Sequence, residues 1–194
     1  MIKLGIDAGH GGTDLGATRI DFPVTEADYN ISIARNLLSA VVGLPFEPHM
    51  IRQRNDETLS LRDRGERSIA LELDLVLHIH VNAHHDPGIH GGLLFHWPDN
   101  RRGSSMGDAI ARALPKALYR RSPWSIPATD YPTPNDNWLQ RPRAVMQHHK
   151  CTTVLIELGY MSNSGDAVAL QSEAIQHGLV IAMLAGLADY WRTT

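Results

Sequence analysis

The chain reads as an α/β protein: a single domain built on a mixed, mostly parallel twisted sheet with helices on both faces. Three observations lead there. Short apolar runs at residues 2–7, 74–80 and 152–158 each stop at a glycine-rich or polar segment, as buried strands do. Stretches with helical spacing lie between those runs, and that alternation builds parallel sheets. The 194 residues suit one domain over positions 1–194, large enough for a core without disulfide or metal staples.

Taken in order, residues 2–7 close on Gly9-His10-Gly11-Gly12, which sets His10 just past a strand's carboxyl end. Thr25 to Asp28 has the pattern of a capping box, and Ile31, Ala34, Leu38 and Val41 recur behind it at helical spacing. A helix is therefore expected to begin at about Glu26, with that carboxylate in its first turn. A strand follows over Glu47–Arg52, then a polar helix from Leu59 to Leu71 and a buried strand from Asp74 to His80. Gly92–Trp97 is a further strand. Ser105–Tyr119 reads as a helix with Met106, Ile110, Leu114 and Leu118 on one face, kinked at Pro115. Residues 121–142, rich in Pro, Asp and Asn and holding Trp124, Tyr131 and Trp138, read as a long surface loop. Thr152–Leu158 is a buried strand with Glu157 near its carboxyl end, and a helix from Glu173 to Trp191 closes the chain. In open sheets of this kind ligands sit outside the carboxyl ends of the strands, so His10, His80 and Glu157 are expected to converge.

Composition removes several classes of function. The formal net charge is −3 and the basic residues are scattered, so no nucleic-acid partner is expected. Cys151 is the only cysteine, which excludes an internal disulfide and any multi-cysteine zinc or iron–sulfur site. A metal would have to use His and carboxylate. Gly178–Ala188, the longest apolar stretch, is too short for a membrane span. The first residues enter a strand at once, without a signal peptide's apolar region or cleavage site, so synthesis without an export leader is expected. A monomer is expected as well.

A hydrolytic zinc site needs about three N or O ligands, an open position for water, and a carboxylate that does not itself bind the metal. His10 and His80 offer imidazoles from two strand ends, and Glu26 a carboxylate at a helix start, where the dipole favours its ionised form. Glu157 remains as the base. It also interrupts an apolar run, where an unpaired buried acid would cost several kcal/mol, so it needs a partner or a function.

At these residues a family likeness becomes visible. Ile6-Asp7-Ala8-Gly9-His10-Gly11-Gly12-Thr13-Asp14-Leu15-Gly16-Ala17 resembles the opening motif of the zinc-dependent N-acetylmuramoyl-L-alanine amidases of cell-separation, spore-cortex and phage endolysin type. Glu26-Ala27-Asp28-Tyr29-Asn30 resembles their second block, His78-Ile79-His80-Val81-Asn82-Ala83 their third, and residues 155–163 their fourth, with a milder likeness over residues 52–64. The resemblance implies one zinc ion per chain held by His10, Glu26 and His80, and Glu157 as the catalytic acid/base. The implied substrate is peptidoglycan, cut between the lactyl group of N-acetylmuramic acid and L-alanine. It also makes residues 99–137 the place where regulated relatives carry a segment that blocks the zinc. Ala8 stands where the family usually has proline, and His78 where it usually has serine.

His78 and His80 lie two apart on a strand and so share a face, which leaves two readings for His78: competition for the zinc, or a place in the pocket or behind the ligands. The second is preferred, because a catalytic site keeps a position open. Asn82 is a candidate for substrate or ligand-supporting hydrogen bonds, or else a turn residue. His84, His85, His90, His96, His148 and His149 are expected to be mostly exposed loop residues. The rival functions are a zinc peptidase acting on stem peptides and a non-catalytic wall-binding module. The expected place of action is the cell wall, in the periplasm or on a host, and a phage or prophage endolysin suits the chain.

Overall fold

The computed structural model describes residues 1–115, the backbone of residues 124–127, and residues 144–194. The strands are β1 (Ile2–Ala8), β2 (Phe46–Met50), β3 (Leu75–Asn82), β4 (Leu93–His96), β5 (Trp124–Pro127) and β6 (Thr152–Tyr160). The helices are α1 (Glu26–Ala40), α2 (Leu61–Ala70), α3 (Arg101–Ala113), α4 (Ser164–Leu170) and α5 (Glu173–Arg192). The sheet runs β2-β1-β3-β6-β4-β5. β2, β1, β3 and β6 are mutually parallel, β4 is antiparallel to β6, and β5 is parallel to β4. The α/β class and the mostly parallel mixed sheet are those expected from the sequence.

Period-2 alternation explains how one strand serves two layers. Along β3, Leu75, Leu77, Ile79 and Val81 enter the main core, whereas Val76, His78 and His80 face the other way. The main core collects Leu4 and Ile6 of β1, Ile33 and Leu37 of α1, Met106 and Ile110 of α3, and Met183 and Leu187 of α5. The opposite face is smaller and more polar. There α2, whose buried residues are Arg64, Gly65 and Ser68, brings a guanidinium against Asp7 of β1.

The capping box read at Thr25 is present: its hydroxyl accepts from Asp28 N–H, and the Asp28 carboxylate accepts from Thr25 N–H at 2.9 Å. Ser60 and Asp63 make the same exchange at the head of α2. Other boundaries differ from expectation. α3 begins at Arg101 rather than Ser105, because the Asn100 side chain caps it by accepting from Gly103 N–H at 2.9 Å. It ends at Ala113, with Leu114 extended as the residue before a proline prefers, and the part of the helix expected over residues 116–119 lies outside the described residues. α4 was not expected; Asn163 caps it by accepting from Asp166 N–H at 3.0 Å. Trp124–Pro127, read as part of a loop, is a strand, and the rest of the 121–142 reading lies outside the described residues. Of the segment 99–137, residues 101–113 are a core helix that places Met106 and Ile110 against α5. Among the described residues no single helix is long and apolar enough to cross a membrane.

Leu77 lies at the centre of the sheet with no exposed surface. Leu77→Ala should lower the unfolding free energy by about 2–5 kcal/mol, from lost burial and an unfilled cavity. Urea denaturation measures it; a loss below about 1 kcal/mol would mean the site collapses around the smaller side chain.

Candidate metal centre

β1 stops at Ala8, and the chain turns immediately through Gly9 and His10. His10 adopts left-handed backbone, φ 58, which is uncommon for a residue with a side chain. From that turn its Nε2 lies 3.2 Å from Oε1 of Glu26, the first residue of α1. The same oxygen lies 3.1 Å from Nδ1 of His80, near the carboxyl end of β3. The three residues can each offer a donor atom within 4.8 Å of the others, and they are the only such group of three or more among the described residues.

The Glu26 carboxylate is fixed by backbone. Oε2 accepts from Ala17 N–H at 2.8 Å and Oε1 from Val81 N–H at 3.0 Å. In return, the helix's leading N–H groups at Glu26 and Ala27 donate to Ala17 O at 2.9 Å and Leu15 O at 3.2 Å. These groups have no partner inside a helix, so a loop that accepts from them is held in place. Asn30, one helical turn on, is buried and donates to Gly9 O at 3.2 Å. Two glycines make room for this convergence. A Cβ at Gly9 would overlap the His80 ring, and one at Gly16, where φ is +65, would press on Glu26 and the His10 ring.

Electrostatics follow from this packing. Burial opposes ionisation of Glu26, yet hydrogen bonds to His10 and His80 outweigh it and hold the carboxyl well below the usual range. Burial lowers His80 more than Glu26 raises it, which keeps that imidazole neutral as a ligand requires. Burial also opposes the charge on His10, but Glu26 and Asp14 on either side of the ring raise its pKa. Asp14 Oδ2 lies 2.8 Å from His10 Nδ1 and can accept its proton, which would leave Nε2 as the atom to bind a metal. Two imidazoles and a carboxylate form a donor set found in catalytic zinc sites, and the space left by Gly9 and Gly16 lets them meet, so the residues fit a zinc ion.

Glu157 pairs directly with His80 across the parallel β3–β6 ladder. Directly paired residues share a face with strands about 4.8 Å apart, so the Glu157 side chain rises beside His80. His78 does not line a pocket. It is wholly buried one alternation deeper, with Nδ1 2.9 Å from Asp7 Oδ2 and its ring edge-on to His149 at 4.7 Å. Asn82 is the last residue of β3, and its Oδ1 accepts from Ala83 N–H at 2.8 Å. Among the remaining histidines, His85 and His90 are exposed as expected. His96 is instead buried on β4, and His149 packs on His78 with Nδ1 2.8 Å from Ser68 Oγ. Loops meet above the strand ends at Ser162 and Asn163. Arg19 donates to Ser162 O at 3.1 Å, His84 N–H to Ser162 Oγ at 2.9 Å, and Asn163 to Pro87 O at 2.7 Å.

Reading the sequence missed Asp7, Asp14, Asn30, Arg52 and Arg64. Asp14 and Asn30 were within reach, each four residues from a candidate ligand. The other three reach the segments that carry the candidate ligands, or one another, across separations of 25 or more residues, which no local pattern encodes.

The family model for N-acetylmuramoyl-L-alanine amidase (Amidase_3) matches residues 4–189. Among curated proteins the chain is 26% identical over 186 residues to the uncharacterized protein YqiI of Bacillus subtilis, covering 96% of this chain and 83% of that protein. It is 26% identical over 192 residues to the N-acetylmuramoyl-L-alanine amidase LytC of the same organism, covering 96% of this chain and 35% of LytC. It thus spans about a third of LytC's length. Among solved structures, the catalytic domain of the amidase CwlV from Bacillus (Paenibacillus) polymyxa superposes with a TM-score of 0.81 at 22% identity, over the whole of both chains. The chain belongs to the N-acetylmuramoyl-L-alanine amidase family. It is an enzyme of that class.

Gly9→Ala should push the His80 ring out of place and weaken zinc binding by about 10–100-fold, on the scale of losing a ligand's support. Competition with a chromogenic chelator measures it; unchanged affinity would mean the ring tolerates the methyl. A second outcome concerns pH. Burial and the neighbouring His78 push His149 down from 6.5 to about 3. A lowered folded pKa means the associated stability is complete above about 6.5 and is lost as pH falls toward 3. Urea midpoints should therefore decline across that window, and His149→Gln should flatten the decline; an equal slope in the variant would assign it to other groups.

Proposed function

We propose that this chain is a zinc-dependent hydrolase of peptidoglycan that cleaves the amide bond between the lactyl group of N-acetylmuramic acid and L-alanine. The observation that carries this reading is the meeting of His10, Glu26 and His80 at the carboxyl ends of parallel strands, with donor atoms within 4.8 Å. Those three residues would hold the ion, and His78, sealed beneath them against Asp7, would not compete for it. When bound, zinc supplies Lewis acidity, lowering the pKa of water to about 7 and polarising the scissile carbonyl.

The remaining chemistry falls to Glu157. Glu26 is unsuited to moving protons, because its two oxygens are committed to Ala17 N–H and Val81 N–H and its ionised form is strongly favoured. Glu157 stands beside His80 on the adjacent strand and is not one of the three clustered donors. It accepts the proton of the attacking water and delivers it to the departing L-alanine nitrogen, since an amide anion is too poor a leaving group near neutral pH. The glycan would lie across the strand ends, bordered by the loops joined at Ser162 and Asn163. The proposed substrate puts the place of action at the cell wall, for an endolysin and a cell-separation enzyme alike.

Glu157→Gln tests the reading. The variant should keep one zinc per chain by elemental analysis and lose turnover by about 10²–10⁴-fold. Mass spectrometry of wild-type digests should find free stem peptides and intact glycan. Cuts within the stem would assign a peptidase, peptidoglycan binding without release would assign a wall-binding module, and full activity in the variant would remove Glu157 from its role.

A further inference from the structure

Two arginines lie directly beneath the centre. Arg52, two residues past β2, has no exposed surface. Its guanidinium donates to Ala8 O at 2.9 Å, Gly9 O at 3.2 Å, Ala27 O at 2.9 Å, Arg54 O at 3.1 Å and Asn55 Oδ1 at 3.2 Å. All five acceptors are neutral oxygens, a costly setting for a buried cation whose pKa burial pushes down to about 10. Arg64 comes from α2 and donates to Asp7 Oδ1 at 2.6 Å, Ala8 O at 2.9 Å and His10 O at 2.7 Å.

The acceptors have a pattern. Ala8, Gly9 and His10 are consecutive, and their carbonyls lie where the β1 ladder gives out; the last pairing there is Gly9 N–H to Ile79 O at 3.0 Å. Ala27 is the neighbour of Glu26. Arg52 therefore ties the backbone beside one candidate ligand to the backbone beside another, and Arg64 grips the carbonyl of His10 itself. His10 sits in left-handed backbone, a conformation that persists only where surrounding contacts over-determine it. A planar guanidinium with five donors in a fixed fork can hold several carbonyls in one relative geometry, and an ammonium cannot.

We propose that Arg52 and Arg64 are positioning residues for the metal centre, clamping the carbonyls of residues 8–10 and 27 so that His10 and Glu26 are preset at binding distance before any ion arrives. The inference rests on the zinc reading of His10, Glu26 and His80. Presetting ligands matters because a site 1 Å too loose loses affinity and function even with every ligand present.

The test compares Arg52→Lys and Arg64→Lys with Arg67→Lys. Arg67 is the control: it also holds a backbone carbonyl, Ile51 O at 2.8 Å, and an acid, Glu57 at 2.7 Å, but touches neither ligand segment. Zinc affinity by chelator competition should fall about 10–100-fold in the first two variants and stay at the wild-type value in the control. The visible spectrum of the cobalt-substituted protein should change in the first two alone. With zinc saturating, kcat should fall while KM holds. Wild-type zinc affinity and cobalt spectra in folded Arg52→Lys and Arg64→Lys would overturn the proposal, as would variants that unfold and are not restored by excess zinc, since their role would then be architectural. A wild-type protein that binds no zinc would instead overturn the metal reading on which the proposal rests.

Discussion

One buried carboxylate joins the parts of this structure that chemistry requires to meet. Glu26 heads α1, accepts from the backbone of the loop after β1 and from the end of β3, and stands between two imidazoles. Removing an acid from water is unfavourable unless it is fully hydrogen-bonded, so the surroundings of Glu26 have little freedom to rearrange. Three segments far apart in the chain are held to one geometry by that requirement. The helix dipole, the two backbone donors and the two rings all favour the same ionised state.

A second polar layer lies on the side of the sheet away from the main core. Asp7, Arg64, His78, Ser68 and His149 are linked there by contacts of 2.6–2.9 Å and by the edge-on rings of the two histidines. Breaking the buried Asp7–Arg64 pair by removing one partner would strand a charge, which makes the layer rigid rather than merely cohesive. Rigidity is what the proposed metal site would need from its underside. α2, so polar that it resembles a surface helix, is polar because its buried face serves this layer instead of an apolar core.

Local signals and observed elements agree where the cause is local. The capping box at Thr25 places Glu26 in the first turn of α1, since both halves of the box lie within four residues. Apolar runs became the central parallel strands, because strands covered on both faces need continuous hydrophobicity. Reading failed where a single capping side chain outweighed periodicity, as Asn100 does for α3 and Asn163 for α4. Pro115 was read as a kink, but the residue before it is extended and the helix stops. His96 and His149, read with the exposed histidines, are drawn inward: His96 is buried on β4, and His149 meets Ser68, a partner 81 residues away.

The sequence alone determined the fold class, the strand ends that carry His10, His80 and Glu157, and the helix start that carries Glu26. Each depends on spacing within a few residues. Tertiary structure alone decided that His78 would be sealed against Asp7 while His80, two residues on, passes over Gly9 to meet Glu26. It alone brought Arg52 and Arg64 under the turn at His10. Side-chain periodicity says which face a residue shares, but which partner waits there depends on the register between strands and on helices dozens of residues away.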